Sequence, residues 1–324
     1  MINLTTEYAG LILRNPLIAA SSGLTNSLHK IMQLEKAGVG AVVLKSLFEE
    51  QIDSHSEKLS LSSDYPEASD YIDAYVEMNH VEKYLDIIRE AKSSCNIPII
   101  ASINCYKVAR WIDFAKSIEE AGADALELNI FLINTGEYGD RYLEDSYLKI
   151  VRELKKVIKI PLIIKMARTV SNLPGLIERL KALGVNAVVL FNRFYQLDID
   201  INTMEITSGS VFSNPSDFSE TLRWTAITTG YVPDFDIACS YGVHSWEDNI
   251  KGILAGATAM QLCSVLYERG LEVIPEMLTC MEEWMSQNNY KRIDQFKGKL
   301  SYANIPSPAL YERAQFMKYF SNHK

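Results

Sequence analysis

Two kinds of short apolar run alternate along this chain, and each kind occurs four times. One kind follows a proline or an aromatic break: PLIAAS from Pro16, IPIIASIN from Ile97, IPLIIKM from Ile160 and FDIACS from Phe235. The other follows a glycine: AGVGAVVLKS around Gly38, AGADALELN around Gly122, LGVNAVVLFN around Gly184 and AGATAMQLCS around Gly256. A glycine at that place fits the C-cap of a helix, and the run after it reads as a buried strand. Most intervals carry a helical period, as in Val108, Trp111, Ile112, Ala115 and Ile118, whose spacing makes one apolar stripe.

Eight strands alternating with helices predict an α/β protein, a closed parallel (β/α)8 TIM barrel. The competing fold is an open doubly wound sheet, but no G-x-G-x-x-G follows the first strand, no P-loop pattern occurs and the repeat runs evenly to the end. A length of 324 residues at 48% hydrophobic content suits one such domain. Its expected extent is 1–300, with a long insertion after strand two. A tail, 301–324, contains ALYERAQFMKYF and is read as a helical extension packing on the barrel or on a partner subunit. The intervals 47–80 and 193–218 are long for such a fold, which points to functional loops. In 47–79, Glu49, Glu50, Asp53, Glu57, Asp64, Glu67, Asp70, Asp73 and Glu77 face Lys58 alone, as in a lid, a partner surface or a solvated loop.

With 32 Lys plus Arg against 41 Asp plus Glu, the net charge of −9 argues against a nucleic-acid binder. No stretch approaches the roughly 18 apolar residues of a membrane helix, and MINLTTEYAG lacks the features of a signal peptide. The expectation is a cytoplasmic protein off the membrane. Five scattered cysteines without C-x-x-C spacing read as thiols, with no metal site.

Barrel chemistry sits at the C-terminal ends of the strands. Here those positions are Ser22 and Gly23, Lys45 and Ser46, Asn104, Asn129, Lys165, Asn192, Ser240 with Tyr241 and Gly242, and Cys263 with Ser264. A lysine ending an apolar strand, LIIK at Lys165, is costly to bury unless an anion or an acceptor meets it. Two chemistries use such a residue: a flavin-free Schiff-base lyase through Lys165 or Lys45, or stabilisation of an anion such as a reduced flavin. The last two strand ends lie where barrels commonly build a phosphate site, with Gly242 left to permit close backbone approach. His244, opening the helix SWEDNIKGIL, could contact a phosphate but is read first as an exposed bystander.

The segments NPLIAASSG, AVVLKS, ADALELN, PLIIK, GILAGATAMQLCSVLYERG and NYKRIDQFKGKLS together resemble the class 1 dihydroorotate dehydrogenases over almost the whole chain. KSLFEEQI, VVLFNRFYQLDID and SLHKIMQLEKAG are most similar to the dihydroorotate dehydrogenase-like branch. The resemblance implies FMN across the barrel mouth and two-electron chemistry on a CH–CH group of a small planar or carboxylated substrate. It also implies a place in pyrimidine synthesis, a homodimer and, in part of the family, an electron-transfer partner protein. Ser22 and Gly23 would lie near the flavin, Lys45, Asn129 and Lys165 on its ring or ribityl chain, Asn192 at its edge, and the loops after Ser240 and Cys263 on its phosphate.

The chain departs from the family pattern in three places. The family's catalytic N-L-S-C-P-N aligns with NIFLIN, putting Leu132 where a cysteine or serine removes the substrate proton. Leucine accepts no proton, so dihydroorotate oxidation by that route is not supported. The substrate loop aligns within SDYIDAYVEMN without its asparagines, and Cys239, Ser240, Tyr241 and Gly242 replace a G-T-G-G phosphate turn, where the Cys239 Cβ and the Tyr241 ring would crowd a phosphate. Replacement acid–base groups to consider are Cys105, Tyr138 and Asp140; substrate-binding candidates are Asn134, Arg168 and Arg193, an arginine being suited to clamp a carboxylate. A non-catalytic flavoprotein or pseudoenzyme is the other reading.

Overall fold

In the computed structural model the described residues are 2–48, 66–104, 108–130, 132–133, 136, 139, 141–194 and 196–312, with backbone alone for 66–79 and 108–109. A hairpin of β1 (Thr6–Tyr8) and β2 (Leu11–Leu13) precedes the barrel. The strands that follow are β3 (Leu17–Ala19), β4 (Ala41–Val43), a short β5 (Leu47–Phe48), β6 (Ile99–Asn104), β7 (Ala125–Asn129), β8 (Leu162–Lys165) and β9 (Ala187–Leu190). After them come a second hairpin, β10 (Leu197–Asp200) with β11 (Glu205–Ser208), then β12 (Asp236–Cys239) and β13 (Ala259–Leu262). Around the barrel the order is β4-β3-β13-β12-β9-β8-β7-β6, and pairing of β4 with β6 closes the ring. All eight staves are parallel, and each corresponds to one of the eight predicted runs.

Helices fill the intervals: α1 (Leu28–Ala37), α2 (Pro66–Ser94), α3 (Val108–Glu120), α4 (Tyr142–Leu154), α5 (Leu173–Ala182), α6 (Phe218–Tyr231), α7 (Trp246–Ala255), α8 (Ser264–Arg269), α9 (Val273–Gln287) and α10 (Ala309–Glu312). The predicted glycine stops are real ones. Gly38 ends α1 at φ +114°, its N–H reaching the carbonyls of Leu34 and Glu35, a backbone that side chains with a Cβ rarely adopt. The interval after the second stave is more helical than a long loop would be, because α2 begins at Pro66 and meets no further proline or glycine before Ser94. The first part of the acidic insertion, 49–65, lies outside the described residues.

Alternation along each stave separates two cores. Outward residues such as Leu17, Val42, Ile99, Leu126, Ile164 and Val188 pack under the helices with Trp111, Leu176 and Ile253. Inward residues at the base are small, Ala41, Ala125, Ala187, Ala238 and Ala259, and the space they leave is filled by Tyr8 from the first hairpin. Asp236 ties this plug in place, accepting from Ala9 N–H at 2.8 Å and from Thr258 Oγ1 at 2.8 Å. Tyr8 therefore closes the base of the barrel interior.

The tail joins the barrel through Leu300 N–H to Leu254 O at 2.8 Å and Tyr302 N–H to Ala226 O at 2.9 Å, with the Tyr231 and Tyr302 rings 5.0 Å apart. α10 is the described part of the expected terminal helix, and 313–324 lie outside the described residues. The interval 193–218 holds the hairpin β10–β11, which stands clear of the barrel with Ile199 facing Ile206 across the ladder. Leu197, Ile199 and Ile206 are exposed on one face; Asp198 and Asp200 alternate onto the other.

Candidate active site at the barrel mouth

At the C-terminal end of the staves lies a cavity of about 550 Å³. Eight of the residues expected at the mouth line it: Ser22, Gly23, Lys165, Asn192, Ser240, Tyr241, Cys263 and Ser264. Asn129 joins them by accepting from Asn192 Nδ2 at 2.6 Å. Lys45 and Ser46 line a smaller neighbouring cavity of about 200 Å³, shared with Asn26, Lys83 and Tyr84. Ser46 continues a buried hydroxyl chain, with Ser21 Oγ at 3.1 Å and Ser102 Oγ at 2.7 Å, while Asn104 ends β6 at the rim. Strand twist and closure thus gather polar groups from separate staves, since each stave ends its apolar run one or two residues before the mouth.

Lys165 is the most buried cation of the site, 7% exposed. Its Nζ donates to Gln261 Oε1 at 3.0 Å, and Glu127 Oε1 stands 3.8 Å away. Sequence reasoning missed both partners, although a glutamate in the apolar run ALELN and a glutamine in AMQLC were the visible signal. Cys263, beside them, has a thiol pushed up by burial and pulled back down by the Lys165 charge and a hydrogen bond to Ser22.

The end of β12 and the loop after it correct two readings, those of Cys239 and His244. Cys239 points away from the mouth, fully buried against Thr225, and burial pushes its thiol up to about 12. Tyr241 lines the cavity, its ring under the Arg168 guanidinium at 4.7 Å and its phenol hydrogen-bonded to Asp217. Gly242 sits at φ +84°, and a Cβ there would come within 2.2 Å of the Phe218 backbone nitrogen. His244 is not exposed. It is buried at 8%, with Nε2 2.8 Å from Ser213 Oγ and Nδ1 3.3 Å from Glu268 Oε2; Ser213 Oγ in turn donates to Ser264 Oγ at 3.0 Å. The alignment of SYGVHS gave no hint of Ser213, which is far away in sequence.

Both arginines expected to meet a carboxylate have protein partners, and Arg193 also lines the cavity, with its Nε unpaired among the described residues. Arg168 bonds Glu220 at 2.5 Å, and Arg193 donates to the carbonyls of Val211 at 2.6 Å and Ser210 at 2.7 Å, bracing the loop that roofs the cavity. Leu132 is half-buried and packs against the outer core. Cys105, Asn134, Tyr138 and Asp140 lie outside the described residues.

A closed (β/α)8 barrel with polar side chains gathered around a cavity at one mouth is the architecture of a barrel enzyme. Comparison with known proteins makes this specific. A family model described as dihydroorotate dehydrogenase matches residues 3–285, and the chain belongs to that family. Its relatives include the catalytic subunit of dihydroorotate dehydrogenase B (NAD(+)) from Thermoplasma volcanium, 27% identical over 92% of this chain and 98% of its own. The Thermoplasma acidophilum subunit of the same name is 28% identical over 92% and 99%. A putative dihydroorotate dehydrogenase A (fumarate) from Aeropyrum pernix is 24% identical over 91% and 96%. The class and the fold expected from the sequence are thereby established.

Proposed function

We propose that this protein is an FMN-dependent dehydrogenase acting on the CH–CH group of a small planar or carboxylated molecule. The observation that carries the reading is the Lys165 ammonium, buried beneath the 550 Å³ mouth cavity among Asn129, Asn192, Ser22 and Cys263. A fixed cation at the floor of a polar-rimmed cavity suits a ring that becomes anionic on reduction. The residues present fit FMN: amide and hydroxyl groups line one side for the ring and ribityl chain, and the Ser213–Ser264–His244 cluster with Ser240 supplies donors at the last two strand ends for a phosphate. When bound, the flavin supplies hydride-accepting chemistry, while the chain binds, orients and excludes water.

Proton removal takes a different group from the family's. Leu132 has no titratable atom, so the base is another residue of the mouth or its loops, with Cys105, Tyr138 and Asp140 the proposed sources. Turnover of dihydroorotate, the activity in the relatives' names, is for that reason not the proposed reaction. The lyase reading is weaker, because the Lys165 Nζ is tied down by a hydrogen bond to Gln261 and by Glu127 at 3.8 Å, whereas a Schiff-base lysine must be free to attack a carbonyl. Work beside an electron-transfer partner subunit follows the relatives' description as catalytic subunits. A homodimer through the exposed apolar face of β10–β11 leaves the acidic face in water.

The test is the absorption spectrum of the purified protein with identification of any released cofactor. FMN near one per chain supports the proposal. A colourless protein that FMN does not reconstitute, and that borohydride labels at Lys165 with a carbonyl substrate, replaces it by the lyase.

A further inference from the structure

Lys165 stands on a relay of buried polar groups that flavin binding does not require. β7 and β13 are four staves apart in a ring of eight and so face each other across the barrel. Glu127 on β7 and Gln261 on β13 are both fully buried, and Gln261 Nε2 reaches across to donate to Glu127 Oε2 at 2.6 Å. The same amide accepts from Lys165 Nζ at 3.0 Å through its oxygen. Only one orientation of the amide serves both ends, since the flipped form would set an NH2 group against an ammonium and an oxygen against a carboxylate.

The arrangement is poorly explained as packing. Aliphatic residues of similar size would fill the interior without the desolvation cost of two ionic groups. Among the described residues one carboxylate oxygen, Glu127 Oε1, has no hydrogen-bond partner, and neither has the buried Tyr8 hydroxyl. Burial first, and then the Glu127 charge, push the Tyr8 phenol far above its ordinary range.

We propose that Glu127, acting through Gln261, is a positioning residue that fixes the Lys165 ammonium at the mouth and offsets its charge. The relay thereby sets how strongly the site stabilises an anionic ring above the lysine. This rests on the flavin reading and adds to it a control built into the barrel interior.

Sulfite provides a probe independent of turnover: its lone pair forms a bond to the oxidised flavin ring and leaves one negative charge there. FMN affinity is first measured by fluorescence titration for wild type, Glu127→Gln and Gln261→Met. Removing the carboxylate charge is expected to tighten sulfite binding about tenfold and to raise the two-electron potential by about 30 mV, the equivalent of that factor. Removing the bridge lets the ammonium swing toward Glu127, and sulfite binding is expected to weaken about fivefold. Sulfite affinities within about twofold of wild type in variants that retain FMN overturn the relay alone. If Glu127→Gln does not fold, Gln261→Met decides by the same criterion. Failure of wild type to bind FMN overturns the underlying function and the relay with it, and is seen before any variant is compared.

Discussion

Replacing Gly242 by alanine separates a packing role from a phosphate-binding role. The residue sits at φ +84°, and an added Cβ would lie 2.2 Å from Phe218 N and 2.7 Å from Asp217 C. Both neighbours are backbone at the start of α6, so no side chain can swing aside. The left-handed backbone costs a non-glycine residue about 1–2 kcal/mol, and overpacking of this kind adds about 1–3 kcal/mol. A total of roughly 2–5 kcal/mol is therefore expected. At an unfolding entropy of about 2.1 cal/mol/K per residue, and for 324 residues, this lowers the melting temperature by about 3–7 °C. Thermal unfolding followed by circular dichroism, with urea titration as a second measure, reads the loss directly. An alanine variant that melts within a degree of wild type but no longer retains FMN would refute the packing argument and return Gly242 to the phosphate.

Three further outcomes are expected. Leu132→Cys restores a proton acceptor at the family's base position and should let dihydroorotate bleach bound flavin anaerobically, with a gain on the order of 10²–10⁴ for a placed base; bleaching of the wild-type protein at enzymatic rates would contradict the missing-base argument. The Cys239 thiol, held up to about 12 by burial, stays protonated in the fold while the unfolded chain ionises near 9. Between these values the unfolded state binds fewer protons, so stability falls as pH rises. Cys239→Ala should flatten that alkaline decline in urea titrations at pH 8–11, and an unchanged slope counts against it. The proposed hairpin dimer predicts that wild type sediments as a dimer and Ile206→Asp, on the exposed hairpin face, as a monomer with a melting temperature within about a degree; a monomeric wild type or a dimer that survives the substitution refutes that interface.

The fold was legible because a (β/α)8 barrel repeats one local rule. Each glycine stop and each apolar run can be recognised within a few residues, and their regular alternation leaves one arrangement that covers every stave with helices. Strand ends were legible for the same reason, which brought Lys165, Asn129, Asn192 and Ser264 into view without coordinates. The family match over residues 3–285 then follows from segments spread along the chain. Local reading failed where a residue's meaning depends on a distant partner. It could not see that Glu220 pairs with Arg168 or that Arg193 donates to the carbonyls of Ser210 and Val211.

What the sequence by itself determined is therefore the order of staves, the polar character of their ends and the absence of a proton acceptor at Leu132, all properties carried by a residue and its neighbours in the chain. Closure of the barrel decided the rest. It set Gln261 against Glu127 across the interior and Lys165 above both. It turned Cys239 outward and buried His244 against Ser213. Hydrogen bonds and charge pairing act over a few ångströms in space, and residues 134 positions apart come within that range only when the ring is closed.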